Sequence, residues 1–395
     1  MLTLALMLLA SALTYYLSAA NYGTLFTQSR KTNAAAGREF SVLLERIDKY
    51  YIGEFDAAEV SAAAMHAAVE ALGDRWSYYM TPEEFAEFLD SAENQFAGIG
   101  VGVVVNEDAG GMEVMYVYRD SPAEKAGIDP GDVIIGIDGK KLAGLGLDEM
   151  REFLMRPIGE TADIELIRLR GVTQTIQVVY GKIFSSPISH EMLENKIGYI
   201  SIGNFDGGAA DGFIDAAGQL LRQGARAFVF DVRNNGGGSV NEMTRMLDYL
   251  LPEGEIFISS DKSGRESIIT SDPDKIDVPA IVIVNRYSFS AAEYFAATLR
   301  EYGYAEIVGE QTTGKSRSQI TEPLPGGGAL HISSGQYMTK NRVDLYEAGG
   351  LTPDYPLVLS DDEFMMYVSG NLAPNDDPQL QLALSLVQDG VTASR

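Results

Sequence analysis

The chain contains no cysteine and only three histidines, and both shortages narrow its chemistry. Without cysteine there is no disulfide, no thiolate metal site and no cysteine nucleophile, a composition compatible with an extracytoplasmic compartment. The pair His190-Glu191 begins like a zinc-protease motif, but Glu194 stands where H-E-x-x-H needs its second histidine. We therefore predict neither a metal nor any other cofactor.

Basic residues are also few: the chain has 30 lysines and arginines but 56 aspartates and glutamates, which gives a formal net charge of -26. The acidic residues are spread along the chain rather than gathered in a tail. This balance argues against nucleic acid and against binding to anionic membrane surfaces. The length of 395 residues, with 46% of them hydrophobic, allows two or three domains with sizeable cores.

Residues 1–20 form an uncharged apolar run of about the length that crosses a bilayer. We interpret this run as an uncleaved membrane anchor; the alternative is a signal peptide that is removed after secretion. Arg30, Lys31 and Arg38 follow it. By the positive-inside rule alone they would place the body of the protein in the cytoplasm.

Residues 281–319 carry the strongest indication of chemistry. The β-branched run Ile281–Val284 is typical of a buried strand, and Phe295 and Leu299 lie at helical spacing in the segment that follows. Ser290 therefore falls near the N-terminus of a helix. A serine hydroxyl needs a base to become a nucleophile, and the strong base of this stretch, provided that it is neutral, is Lys315.

Two other readings of this stretch compete. Ser290 and Glu293 have the spacing of a capping box, in which the serine only satisfies helix amides. Residues 309–316 (GEQTTGKS) match a phosphate-binding loop, which requires a helix to start at the lysine. Residues 317–328 contain two prolines and three glycines instead, so a strand and a loop are expected there and the nucleotide hypothesis is rejected.

Residues 285–293 (NRYSFSAAE) and 308–319 (VGEQTTGKSRSQ) are similar to the serine and lysine blocks of the C-terminal processing, or tail-specific, peptidases. These are PDZ-containing serine proteases with a Ser-Lys dyad. The resemblance implies that Ser290 is the nucleophile, Lys315 the general base and Gln319 the glutamine that orients the lysine. It covers roughly residues 38 to 390.

Residues 231–238 (DVRNNGGG) resemble the block of that family whose backbone amides help to form the oxyanion hole, with glycine at a position where proline is frequent. The resemblance implies that an amide of Gly236 or Gly237 acts with that of Ala291. Residues 72–80 (LGDRWSYYM) resemble the block that leads into the PDZ domain, with Arg75 in place of a proline.

Residues 95–182 alternate short β-like runs with glycine turns and one helical segment, as in a small β-rich module. Residues 98–101 (GIGV), 120–128 (DSPAEKAGI), 131–134 (GDVI) and 138–139 (DG) together resemble a PDZ domain. By that resemblance the loop formed by Gly98, Ile99, Gly100 and Val101 would bind a peptide's C-terminal carboxylate, and the adjoining strand would pair with the peptide.

The expected fold is an α/β protease core with a crotonase-like layered sheet and helices, an inserted β-rich PDZ domain and an N-terminal helical segment. The predicted boundaries are 1–20 for the anchor or signal, 21–94 for the linker and helical support, 95–182 for the PDZ domain and 183–395 for the core. Helical spacing predicts that His66 lies on a packed face. His331 is interpreted as a structural histidine rather than a triad base.

The resemblance implies a serine endopeptidase that cleaves protein or peptide substrates near their C-termini, with the PDZ domain recognising free apolar tails and gating activity. Its expected partners are such substrates, the membrane through the N-terminal segment, and a second copy of the chain; nucleic acid is not expected. The resemblance points to the opposite side from the positive-inside rule, and we follow the resemblance: the expected location is the cell membrane, single-pass, with the protease domain extracytoplasmic. The alternative from another class is a membrane-anchored PDZ adaptor with an inactive protease fold.

Overall fold

The computed structural model describes residues 34–169 and 171–393, which divide into two compact units at the Gly73/Asp74 junction. The described part of the first unit is helical, with α1 over residues 34–50 and α2 over Ala57–Glu70. Asp56 caps α2 by accepting the Ala58 amide at 2.7 Å. No residue of α2 is buried, so the prediction that His66 lies on a packed face is wrong. The reason is that alanine is the commonest residue of α2 as a whole, and alanine favours a helix without requiring a packing partner.

Within the residues that the structure describes, no helix is long and apolar enough to cross a membrane. A crossing needs about 20 apolar residues, whereas α1, the longest helix among the described residues, covers only residues 34–50. The prediction of a single-pass membrane protein with an extracytoplasmic protease domain is therefore wrong on this finding. The run 1–20 on which it rested lies outside the described residues.

The second unit begins with elements that connect two larger bodies. Strand β1 (Tyr78–Met80) is followed by helix α3 (Pro82–Ala92) and strand β2 (Gln95–Gly98). Thr81 and Glu84 form a capping box at the start of α3, with the Thr81 amide 2.8 Å from the Glu84 carboxylate.

A six-stranded antiparallel sheet follows, with the strand order β3-β4-β5-β7-β8 and β6 paired to β5. Its elements are β3 (Val101–Asn106), β4 (Gly111–Val117), α4 (Pro122–Lys125), β5 (Val133–Ile137), β6 (Lys140–Lys141), α5 (Leu147–Leu154), β7 (Thr161–Ile167) and β8 (Thr173–Val179). The sheet has its own apolar core, which includes Met112, Ile134 and Ile164. The chain returns through β9 (Gly181–Phe184), which pairs with β2. We call residues 95–182, which the sequence predicts to be a PDZ domain, the PDZ module.

The remaining chain forms a layered α/β core. Its elements are β10 (Ile188–Leu193), β11 (Ile197–Ile202), α6 (Ala209–Arg222), β12 (Ala227–Asp231), α7 (Val240–Leu250), β13 (Gly254–Asp261), β14 (Glu266–Ser271), β15 (Ala280–Val284), α8 (Ala291–Glu301), β16 (Ala305–Gly309), β17 (Arg317–Pro323), β18 (Ala329–Met338), β19 (Tyr355–Pro356), α9 (Asp361–Val368) and α10 (Pro378–Ala393).

The central sheet has the order β10-β11-β12-β15-β16-β19 and is parallel except for the β10–β11 pair. Every residue of β12 and β15 is buried, as expected for apolar runs in a parallel sheet that helices cover on both faces. Helices α6, α7 and α8 pack over one face around Phe230, and α10 packs over the other. Truncating Phe230 to alanine would remove about 3 to 5 kcal/mol of stability.

A second sheet is antiparallel, with β1, β18, β13 and β14 in that order and β17 paired to β18. The parallel strand β15 ends just before Ser290, and the antiparallel strand β17 begins just after Lys315. The ends of these two strands therefore place Ser290 and Lys315 in one region of the fold.

Candidate active site

Ser290 lies between β15 and α8 in an uncommon backbone conformation, with φ 60° and ψ −123°. A residue other than glycine is costly in this region and persists only where the surroundings hold it. Its amide donates to a carboxylate oxygen of Glu293 at 3.0 Å. A side chain at Gly237 would come within 2.8 Å of the Ser290 Cβ, so only glycine allows this close approach.

Glu293 is fully buried and holds the serine and lysine segments together. Its carboxylate accepts the amides of Gly314 at 2.6 Å and Lys315 at 2.9 Å, and the hydroxyl of Thr312, in addition to the Ser290 amide. Burial raises the pKa of this carboxyl, while the four donors act in the opposite direction. The sequence indicated only the contact with Ser290, through the capping-box spacing.

Lys315 packs against aromatic rings. Its Nζ lies 4.3 Å from the centre of the Trp76 ring and 5.9 Å from that of Phe289. Burial lowers the pKa of Lys315 to about 8; the charge of Asp74 opposes this shift and that of Arg75 reinforces it. Among the described residues the Lys315 Nζ has no hydrogen-bond partner, so the structure does not join it to Ser290.

One cleft of about 760 Å³ is lined by Ser290, Lys315, Gln319, Gly236 and Tyr337, among other residues. We call it the active-site cleft. Within it, the Gln319 amide nitrogen donates to Arg317 O and Ser333 Oγ, both at 3.0 Å, rather than contacting the lysine. The cleft thus gathers the predicted catalytic residues without completing the contacts between them.

The residue before the glycine-rich loop 234–238 is anchored by buried ion pairs. Arg233 binds Asp231 and Asp377, which ties the end of β12 to the start of α10. Farther along the loop, the Gly237 amide donates to the Asn235 side chain at 2.8 Å. Within the described residues, the Gly236 amide has no such partner, and Gly236 lines the cleft. This loop can therefore offer the amide of Gly236 to a negatively charged oxygen.

His331 also lines the cleft but is engaged elsewhere. Its Nδ1 is 2.8 Å from Thr321 Oγ1, and its ring stacks on Tyr78 at 4.7 Å between centroids. Burial and the charge of Lys315 lower its pKa. These contacts fit the structural role that the sequence indicated.

A second groove, of about 850 Å³, lies in the PDZ module and on α3. Its lining includes the predicted loop Gly98, Ile99, Gly100 and Val101, the strand β3, and Leu154 and Met155 at the end of α5. Strand β3 pairs with β4 along one edge and is the terminal strand of its sheet. Its other edge can therefore accept an added strand. Gly100 has φ 83°, and a side chain there would clash with Ser121.

Comparison with known proteins finds two families in this chain. Residues 196–357 match the model of peptidase family S41, and residues 113–168 match a PDZ domain. The carboxy-terminal processing protease CtpA of Bacillus subtilis is 27% identical over 374 residues, 93% of this chain and 80% of the relative. A carboxyl-terminal-processing protease of Synechocystis sp. is 27% identical over 350 residues, 87% and 81% of the two chains.

A solved structure of an S41 protease from Bacteroides fragilis aligns with a TM-score of 0.54 at 18% identity, over 86% of this chain and 92% of that one. At this identity the likeness supports the fold. Fold, cleft and sequence matches together define a serine-type peptidase with a PDZ domain. Residues 196–357 form the part of the chain that matches peptidase family S41. The predicted family, fold class and enzyme class are thus confirmed.

Proposed function

We propose that this peptidase cleaves protein or peptide chains near their C-termini, with Ser290 as the nucleophile and Lys315 as the general base. The observation that carries the proposal is a lysine whose pKa burial lowers to about 8, in the same cleft as a serine in a strained conformation at the start of α8. A lysine at its usual pKa of 10.5 would stay charged and could not accept a proton.

In the productive arrangement the Lys315 side chain leaves the Trp76 ring and accepts the proton of the Ser290 hydroxyl. Ser290 Oγ then attacks the scissile carbonyl, and the amides of Ala291 and Gly236 bind the resulting oxyanion. The protonated lysine gives its proton to the leaving amine, and water releases the acyl group by the reverse sequence. The role of Gly236 rather than Gly237 is supported by the bond that already occupies the Gly237 amide.

Gln319 would orient the lysine in this arrangement. Its amide now bonds Arg317 O and Ser333 Oγ, so a change of its side-chain torsions accompanies the movement of Lys315. The cost of such a change is small, because both are single hydrogen bonds of a partly buried amide.

Recognition of the substrate tail is assigned to the groove of the PDZ module. Four successive residues from Gly98 place main-chain groups at its end, β3 offers a free edge, and Leu154 and Met155 add apolar surface. This combination suits a free carboxylate followed by apolar side chains. Helix α3 lines both this groove, through Glu87 and Asp90, and the active-site cleft, through Phe88 and Ala92. We infer that α3 couples tail binding to the arrangement of the dyad.

A fluorophosphonate probe tests the nucleophile. Ser290 of the wild-type chain should be labelled, and Ser290→Ala should abolish both labelling and cleavage of a peptide with a free apolar C-terminus. Ser318→Ala is the matched control, because Ser318 lines the same cleft and has no assigned role. The proposed function would be refuted if Ser290→Ala were still labelled. It would also be refuted if the wild-type protein were neither labelled nor able to cleave any peptide.

A further inference from the structure

Tyr337 on β18 is the side chain whose hydroxyl reaches Ser290. Its Oη lies 3.3 Å from Ser290 Oγ and also donates a short hydrogen bond to the main-chain carbonyl of Lys315. Tyr337 is only 4% exposed, and it lines the active-site cleft. One hydroxyl therefore contacts both members of the proposed dyad.

The chemistry of the three groups limits how the protons are arranged. A phenol has one proton, so it donates to one oxygen at a time, and the Lys315 carbonyl can only accept. When the Tyr337 hydroxyl donates its hydrogen bond to the Lys315 carbonyl, the Ser290 hydroxyl donates to Tyr337 Oη. This second hydrogen bond fixes the serine rotamer. When the serine has lost its proton, the phenol can turn and donate to the negative Oγ. Burial raises the pKa of Tyr337, so the phenol keeps its proton throughout.

The ring of Tyr337 is immobilised by its surroundings. It packs against Phe257 and Tyr294, with centroid distances of 5.9 and 5.7 Å, and its amide donates to Ser316 O at 3.0 Å. A hydroxyl on a fixed ring holds a neighbouring side chain at low entropic cost, because the ring itself has no freedom left to lose.

We propose that Tyr337 is a positioning residue of the peptidase: its hydroxyl sets the Ser290 rotamer and ties the serine to the segment that carries Lys315. This proposal rests on the proposed function of Ser290 and Lys315. It gives a role to a tyrosine of β18 that the sequence analysis did not single out.

Tyr337→Phe tests the proposal because it removes the hydroxyl and leaves the ring packing unchanged. The kcat for a free-acid peptide should fall roughly 10- to 100-fold, with KM within about twofold of wild type. The pH at which the rate is half-maximal should stay unchanged, because the lysine keeps its surroundings. A kcat within about twofold of wild type would overturn the proposal. A fall of the same size in kcat/KM that came entirely from a higher KM would overturn it as well.

Tyr294→Phe is the matched control. Tyr294 is also buried, and its hydroxyl also makes two hydrogen bonds, accepting from Ile258 N and donating to Met338 O. Its hydroxyl bonds neither Ser290 nor Lys315, so loss of that hydroxyl should lower stability and leave kcat within about twofold. An equal fall of kcat in both variants would show that Tyr337 is merely structural.

A second measurement does not depend on the folding of any variant. In a crystal structure of the wild-type fluorophosphonate adduct, Tyr337 Oη should remain within about 3.5 Å of Ser290 Oγ. A wider separation would refute the positioning role. If wild-type protein is neither labelled nor active, the proposed function itself has failed; if it is active and only Tyr337→Phe behaves as wild type, this inference alone has failed.

Discussion

Trp76 lies against Lys315, with the lysine Nζ 4.3 Å from the centre of the indole ring. The contact has two opposite electrostatic effects. The aromatic surface removes water and disfavours the ammonium, whereas the face of the ring attracts it. Burial is the largest cause of the shift in the pKa of Lys315, which is lowered to about 8. The indole thus packs against a lysine that is partly neutral near physiological pH, and in the proposed mechanism this lysine leaves the ring to reach Ser290.

We expect the rate of the wild-type enzyme to rise with pH through about 8. In the proposed mechanism the neutral amine is the base, so the reactive fraction grows as pH passes the lowered pKa of Lys315 and reaches a plateau above it. The measurement is kcat/KM for one peptide between pH 6 and 10, in buffers of constant ionic strength. A rate that is flat across this range, or that falls through pH 8, would remove Lys315 from the role of base.

Arg75→Gln should move this midpoint to higher pH. The positive charge of Arg75 lowers the pKa of Lys315, so its removal lets the lysine protonate more readily. Arg75 is exposed, and solvent screening limits the expected shift to a few tenths of a pH unit. Its exposed charge also makes the shift smaller in high salt. Asp74→Asn should move the midpoint in the opposite direction, since Asp74 raises the same pKa. If the pH midpoint moved in the same direction in both variants, these charges would not act on Lys315 as described.

Glu293→Gln should lower both stability and rate. The carboxylate accepts four donors, among them the amides of Ser290 and Lys315, and a side-chain amide cannot replace both acceptor oxygens. Leaving one or two buried donors without an acceptor costs about 2 to 4 kcal/mol. Chemical denaturation measures the loss, and kcat at the pH plateau reports the displaced dyad.

Glu301→Gln is the control for Glu293→Gln. Glu301 ends the same helix and accepts Thr339 Oγ1 at 2.6 Å and Asn341 N at 2.9 Å, at the end of α8 opposite to Ser290. It should destabilise the protein without lowering kcat. If Glu301→Gln slows turnover as much as Glu293→Gln, the effect on rate comes from general destabilisation.

The sequence predicted the parallel core because its strands are uninterrupted apolar runs, such as Ala280–Val284, between helices of clear amphipathic spacing. It predicted Ser290 and Lys315 through local blocks of residues. The sequence could not predict that Trp76 packs against Lys315 or that Tyr337 lies beside Ser290. These residues are far apart in the chain, and a local sequence pattern does not show which distant residues meet in the fold. The rotamers of Lys315 and Gln319 were likewise beyond it, because side-chain torsions depend on the packing around them.

The PDZ groove allows a test of tail recognition that leaves its loop intact. Substitutions at Gly100 are unsuitable, because its φ of 83° and the proximity of Ser121 would strain any other residue. Met155 is a better position: it lines the groove, and its side chain is 74% exposed, so a charge there is tolerated by the fold. Leu169 is also 74% exposed and lies in the same module but does not line the groove.

Met155→Glu should raise the KM for a peptide with a free apolar C-terminus about tenfold, equivalent to about 1.4 kcal/mol of binding. The new carboxylate repels that of the tail and replaces apolar surface. Leu169→Glu, which adds the same charge elsewhere on the module, should leave KM within about twofold. The wild type should cleave the amidated peptide more slowly than the free acid, and Met155→Glu should reduce that preference. Equal rates on acid and amide in all three proteins would mean that the PDZ module does not read the substrate tail.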